Sequence, residues 1–256
     1  MKETEFKFTP SVILLPLYFV LILWLVFWVE QQFKISLTEF GIYPRSWTGL
    51  RGVLFSPFLH GDLGHLFNNS LPLLFLIACL CYFYRVHAFQ VLGWGILLSG
   101  LGTWLIGRES YHIGASGLVY VLASFIFFKG IQTRYYRLVA LSFTVILLYG
   151  GMFWYIFPSA EEHISWEAHL SGFVVGLLFS WLYDAPVYQK PLVYEWQQPY
   201  YDPKKDPFMR HFDEDGNFIS SSKMRQMELE KWVYFVANLP VIYEIKKPDE
   251  TPSDYL

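Results

Sequence analysis

The sequence predicts an all-α polytopic membrane protein, a bundle of six transmembrane helices with an embedded first loop and a polar C-terminal tail. Three features argue for this. The 256-residue chain is 54% hydrophobic and only 16% charged, against about 25% charged in ordinary soluble domains. The charge is also unevenly spread: residues 1–186 hold 20 of the 41 Asp, Glu, Lys and Arg side chains, and residues 187–256 hold 21. Finally, the first part contains six apolar runs of about the length that crosses a bilayer.

The runs are taken in chain order. Residues 11–29 form the first, free of charge. It is longer than the apolar core of a signal peptide and no small-residue cleavage site follows, so it reads as a retained helix. Residues 66–84, 88–106, 111–128 and 138–157 make the next four, also uncharged. The sixth, residues 164–183, alone carries a carboxylate, Glu167. Between the first two runs, residues 30–64 mix Phe33, Phe40, Trp47, Leu54, Phe55 and Phe58 with Gly, Pro and a few charges. That mixture is too polar to span and too apolar to be solvated, so it reads as an insertion half sunk in the outer leaflet.

Lys and Arg in the loops set the orientation. With the N-terminus inside, the inner side collects Lys2, Lys7, Arg85, Lys129, Arg134, Arg137 and nine from the tail, and the outer side holds Lys34, Arg45, Arg51 and Arg108. Both termini are therefore expected in the cytoplasm. The expected organisation is a short N-terminus (1–10), a membrane domain (11–186) and a cytoplasmic tail (187–256). In the tail, residues 222–237 carry a helical pattern. The run Asp213-Glu214-Asp215-Gly216-Asn217 reads as a turn. A calcium loop needs Gly and Glu where this sequence has Phe218 and Met224.

Other classes are excluded early. A net charge of −3 gives no attraction for nucleic acid. Cys79 and Cys81 are the only cysteines and lie in an apolar run, so neither a disulfide framework nor a Cys-based zinc site is available. No cofactor or metal is expected.

Polar side chains inside spans are costly and mark function by default. Here they gather at the starts of three spans. The second opens with His60, His65 and Asn69; the fourth with His112 and Gly114-Ala115-Ser116-Gly117; the sixth with Trp166, Glu167 and His169. These three spans all run from outside to inside, so His65, Asn69, Ser116 and His169 share one depth just below the outer surface. Helical phase narrows the set. His65 and Asn69 are four apart, as are Ser116 and Tyr120, while His169, Gly172 and Gly176 share a face. Each feature alone has a plain reading: a Gly-x-x-x-Gly strip packs helices, a lone serine bonds its own helix, and a lone histidine is structural. Gathered at one depth, they describe a site.

The chemistry that suits this set is nucleophilic catalysis. A serine hydroxyl needs a neighbouring base, and the attacked carbonyl needs donors for its developing oxyanion. His169 is placed as base and Ser116 as nucleophile. Asn69, His65 and the first-turn N–H of Ser116 supply donors. Gly114 permits the tight turn into the helix, and Tyr120 lies one turn deeper as a stacking wall. No acidic third member is evident, since Glu167 faces elsewhere on its helix, so the expectation is a Ser-His dyad.

At these residues the chain resembles the rhomboid intramembrane serine proteases. The family's Gly-x-Ser-Gly stands as Gly114-Ala115-Ser116-Gly117, its His-x-x-x-Asn as His65 to Asn69, and its Ala-His-x-x-Gly-x-x-x-Gly as Ala168 to Gly176. Pro57-Phe58-Leu59-His60 resembles the family's approach to the second span. The resemblance covers roughly residues 11–186. It implies a rhomboid-like bundle in which Ser116 is nucleophile, His169 general base, and His65 and Asn69 the oxyanion hole, with Asn69 rather than Asn68 selected by spacing. It further implies a lateral gate bordered by the fifth span near Phe153, Trp154 and Phe157, and single-span membrane proteins as substrates. Two other classes make different predictions. A transporter needs polar residues through the whole depth of the membrane, and the inner halves of these spans are almost uniformly apolar. A non-catalytic binder would leave Ser116 unreactive.

Overall fold

The computed structural model describes residue 6 and residues 8–158, 164–185 and 194–236, with side chains up to residue 230 in the last stretch. It divides into two compact units, Met1–Gln189 and Lys190–Leu256.

The first unit begins with helix α1 (Ser11–Phe33). A loop of short turns follows: 3₁₀ turns at Thr38–Phe40 and Gly49–Arg51, one α-turn, α2 (Gly52–Phe55), and a 3₁₀ turn at Ser56–Phe58. Then come α3 (Leu63–Phe83), α4 (Ala88–Ile106), α5 (Ser116–Thr133), α6 (Tyr136–Tyr149) with a 3₁₀ continuation over Gly150–Ile156, and α7 (Trp166–Leu182). Five of these stretches are long and apolar enough to cross a membrane: α1, α3, α4 with the turn before it, α5, and α6 with its continuation. At 17 residues, α7 is about 25 Å long, slightly short of the hydrocarbon core.

Helix α5 lies at the centre. Leu118, Val119, Tyr120, Val121, Leu122 and Ser124 are all buried and point to every side of the helix, as in the middle of a bundle. By contrast, α6 exposes Phe143, Leu147 and Leu148, apolar surface suited to lipid. The closest approach is between α5 and α7. A Cβ on Gly172 would lie 2.1 Å from the Gly117 carbonyl oxygen, and one on Gly176 would lie 2.2 Å from that of Val121. Only glycine lets the two backbones meet there.

Several boundaries differ from the sequence expectation, each for a local reason. The fourth span starts as a helix at Ser116, not at residue 111. Residues ahead of it are extended, with His112 paired to Ile42 in both directions (3.0 and 2.8 Å), and Gly114 has φ +107°. A helix can start only after that turn. Residues 138–157 are α-helical only to Tyr149 and then tighten to 3₁₀. The first span continues past residue 29 to Phe33 and takes in Glu30, whose carboxylate accepts the Leu37 N–H at 2.8 Å. Lys129, beyond the expected fourth run, is inside α5. It is buried and donates to the Ser180 carbonyl at 3.0 Å, closing the end of α7.

In the second unit, Asp213 accepts the N–H groups of Asp215 and Asn217 (3.1 and 2.7 Å). Gly216 takes φ +81°, and Phe212 bridges to Phe218, so the acidic run is a turn. The helical pattern appears as α8 (Ser221–Val236); residue 237 lies outside the described residues.

Candidate active site

A cavity of about 980 Å³ opens among the starts of α3, α5 and α7. Its lining includes His65, Asn68, Asn69, Ser116, Tyr120 and His169. Three separated stretches of sequence thus converge on one space, and the surrounding elements show how each group is held.

Asp62 starts α3 by accepting the His65 N–H at 2.8 Å, a side-chain cap that satisfies one of the helix's orphan donors. Asp just ahead of an apolar run is a recognisable cap in sequence. One turn on, Asn69 is 4% exposed and donates one amide hydrogen to the His65 carbonyl at 2.9 Å. Its other amide hydrogen is left for the cavity. Asn68 also lines the cavity but is exposed. The His65 imidazole lies against Gly114, where a Cβ would sit 2.5 Å from Nε2. Gly114 is therefore required twice over, by its positive φ and by this contact. Its N–H bonds the Ser56 carbonyl at 2.9 Å, which anchors the turn on the first loop.

Ser116 is the first residue of α5, so its N–H has no intrahelical partner and stands at the positive end of the helix. A Cβ on Gly117 would make only ordinary contacts, the nearest at 3.4 Å. Its part is instead to present the carbonyl that Gly172 packs against.

His169 stacks on Tyr120, with centroids 4.4 Å apart and planes at 14°. Tyr120 in turn donates its hydroxyl to the Met152 carbonyl at 2.5 Å. The His169 Nδ1 lies 3.1 Å from the Tyr155 carbonyl. A carbonyl can only accept, so Nδ1 carries the hydrogen and Nε2 holds the lone pair. Both contacts come from the 3₁₀ segment after α6, so that segment sets ring plane and tautomer together. Sequence reasoning missed it, because backbone carbonyls leave no signature in side-chain spacing. The Ser116 hydroxyl and the His169 ring face the same cavity, and among the described residues no hydrogen bond joins them. Contacts of this kind commonly tighten only when substrate is bound.

His60 does not line the cavity. It packs edge-on against His65 at 5.0 Å and so backs that ring. Glu167 points away from His169, as its helical phase requires, and bonds instead to the segment ahead of α5 (Arg108 N–H to Glu167 Oε1, 3.2 Å).

Fold and cavity together define an integral membrane protein of apolar helices around a polar chamber built from three helix starts. A profile described as "Rhomboid domain" matches residues 47–185. The uncharacterized protein Rv1337 of Mycobacterium tuberculosis is 36% identical over 180 residues, covering 66% of this chain and 74% of that protein. The uncharacterized protein ML1171 of Mycobacterium leprae is 32% identical over 181 residues, covering 66% and 70%. The chain belongs to the rhomboid family, a family of intramembrane proteases.

Proposed function

We propose that this protein is an intramembrane serine endopeptidase that cleaves single-span membrane proteins near the outer leaflet through a Ser116–His169 dyad. One observation carries the reading: a serine at a helix start, a tautomer-fixed imidazole, and the side chains of His65 and Asn69 line one cavity among largely apolar helices.

In the reaction, the Ser116 hydroxyl oxygen bonds to the scissile carbonyl carbon while its proton passes to His169 Nε2. The resulting oxyanion is held by the Ser116 N–H, the free Asn69 amide hydrogen and His65. Collapse breaks the C–N bond, and His169 returns its proton to the leaving amine. Water then repeats the sequence on the acyl-enzyme. The Tyr155 carbonyl does the orienting that a carboxylate does in a triad, and the stacked Tyr120 ring holds the imidazole plane. In this reading the bundle has six spans, α7 included, with both termini in the cytoplasm of a bacterial cell, residues 11–186 as the membrane domain and 187–256 as a cytoplasmic tail. The loop before α3 is sunk in the outer leaflet, and α6 with Phe153, Trp154 and Phe157 borders the substrate's lateral path.

The test is cleavage of a single-span reporter by purified full-length protein. Wild type should cut it, and Ser116→Ala, folded as judged by its melting profile, should not. Cleavage surviving in Ser116→Ala would remove the serine from the mechanism.

A further inference from the structure

The segment leading to Ser116 and the helix carrying His169 are tied by a polar chain that the proposed chemistry leaves unused. Glu167, in the first turn of α7, is 1% exposed. Its Oε1 accepts the Arg108 N–H at 3.2 Å and lies 3.8 Å from the Arg108 Nε. The Arg108 guanidinium also donates to the Ile164 carbonyl at 2.5 Å. Ser165 caps α7 by accepting the Ala168 N–H at 3.3 Å. The same Ser165 Oγ is 2.6 Å from His112 Nδ1 and 3.5 Å from Glu167 Oε2. His112 Nε2 returns to the Arg108 carbonyl at 3.1 Å.

Counting hydrogens shows what the chain requires. The Arg108 carbonyl only accepts, so His112 Nε2 carries a hydrogen. Burial holds the His112 pKa below the ordinary histidine value, even with the Arg108 carbonyl and Glu167 nearby, so the ring is neutral at neutral pH and Nδ1 is an acceptor. The single hydrogen of Ser165 therefore goes to His112. Glu167 is then held by the backbone N–H and guanidinium of Arg108, while Ser165 makes a second, separate link from α7 to His112. A buried carboxylate is costly unless such partners hold it, which argues that this one has a task.

We infer that Glu167, Ser165 and His112 form a positioning clip that fixes the approach to Ser116 against the helix bearing His169, and so sets the spacing of the dyad. This rests on the proposed function. His112 and Ser165 border the cavity, but among the described residues none of the three side chains bonds to that of Ser116 or His169, so each is a positioning residue. Small errors in such spacing are expensive, with a displacement of about 1 Å able to cost about 100-fold in rate.

The test is the kinetics of reporter cleavage by the full-length protein. Glu167→Ala should lower kcat about tenfold or more and leave KM within about twofold. Glu167→Gln should recover to within about threefold of wild type. Its carbonyl still accepts the Arg108 N–H, and its amide can donate to the Ser165 oxygen that His112 leaves free to accept. A merely structural or electrostatic role would not give that pattern of kcat loss with amide rescue. If Glu167→Ala does not fold, Ser165→Ala carries the test, with a kcat loss of at least about threefold expected at unchanged KM. Wild-type kcat in Glu167→Ala or Ser165→Ala, or a loss confined to KM, overturns the clip while leaving the protease reading intact. A wild-type protein that neither cleaves nor reacts at Ser116 overturns both.

Discussion

The His60 imidazole is 4% exposed, and neither ring nitrogen has a hydrogen-bond partner among the described residues. Burial first, and the neighbouring His65 second, push its pKa down to about 4. The unfolded chain takes up this proton near 6.5, and the folded chain does so only near 4. Between those values the unfolded state binds more protons, so stability falls as pH drops through that window and levels off below it. The loss ascribed to His60 is at most on the order of 3 kcal/mol. Melting temperatures in detergent at pH 7, 5.5 and 4.5 check it: His60→Gln should show a shallower acid decline than wild type, and identical declines would contradict it. Asn69→Ala tests the cavity itself. With one oxyanion donor gone, kcat should fall about tenfold to thousandfold with the protein still folded; undiminished turnover would take Asn69 out of the oxyanion hole. At this scale the sequence was readable where polar residues interrupt apolar runs, because such residues are rare and costly in membranes. Arg108, His112 and Ser165 were not readable as partners, since hydrogen bonds between loops follow no period.

Helix existence was legible from apolar run length, and helix ends were not. Ends depend on caps and turns made with distant partners, such as the Ile42–His112 pairing that delays α5 to Ser116. The glycines were legible where they form a strip. Gly172 stands in the Gly-x-x-x-Gly run read from the sequence, and a Cβ there would meet the Gly117 carbonyl oxygen at 2.1 Å, whereas one at the unpatterned Gly151 would meet nothing within 4 Å. Gly172→Ala must push α7 off α5, at a cost of about 1–3 kcal/mol and with most of the cleavage activity. Gly151→Ala should be neutral or stabilising by up to about 1 kcal/mol. Thermal unfolding of the two variants side by side decides this, and equal melting temperatures would contradict the close packing of α5 on α7.

For the molecule as a whole, the charge split and the six apolar runs made a membrane bundle legible before any coordinates. The central place of α5 was not, because runs of similar hydropathy carry no record of which neighbours cover them. The proposed orientation sets the outer side at the first loop and the inner side at the tail. Trp47 is 86% exposed and Ser222 is also exposed, so each serves as a labelling position in a chain lacking Cys79 and Cys81. A membrane-impermeant maleimide should label Trp47→Cys on intact cells and Ser222→Cys only after lysis. The reverse pattern would invert the topology.

Reaction with a fluorophosphonate, mapped by mass spectrometry, probes the dyad without any knowledge of the natural substrate. The adduct is expected on Ser116 alone, and it should vanish in His169→Ala while surviving in Gly151→Ala. An adduct on another residue, or one that forms on Ser116 equally fast without His169, would contradict a serine activated by that imidazole.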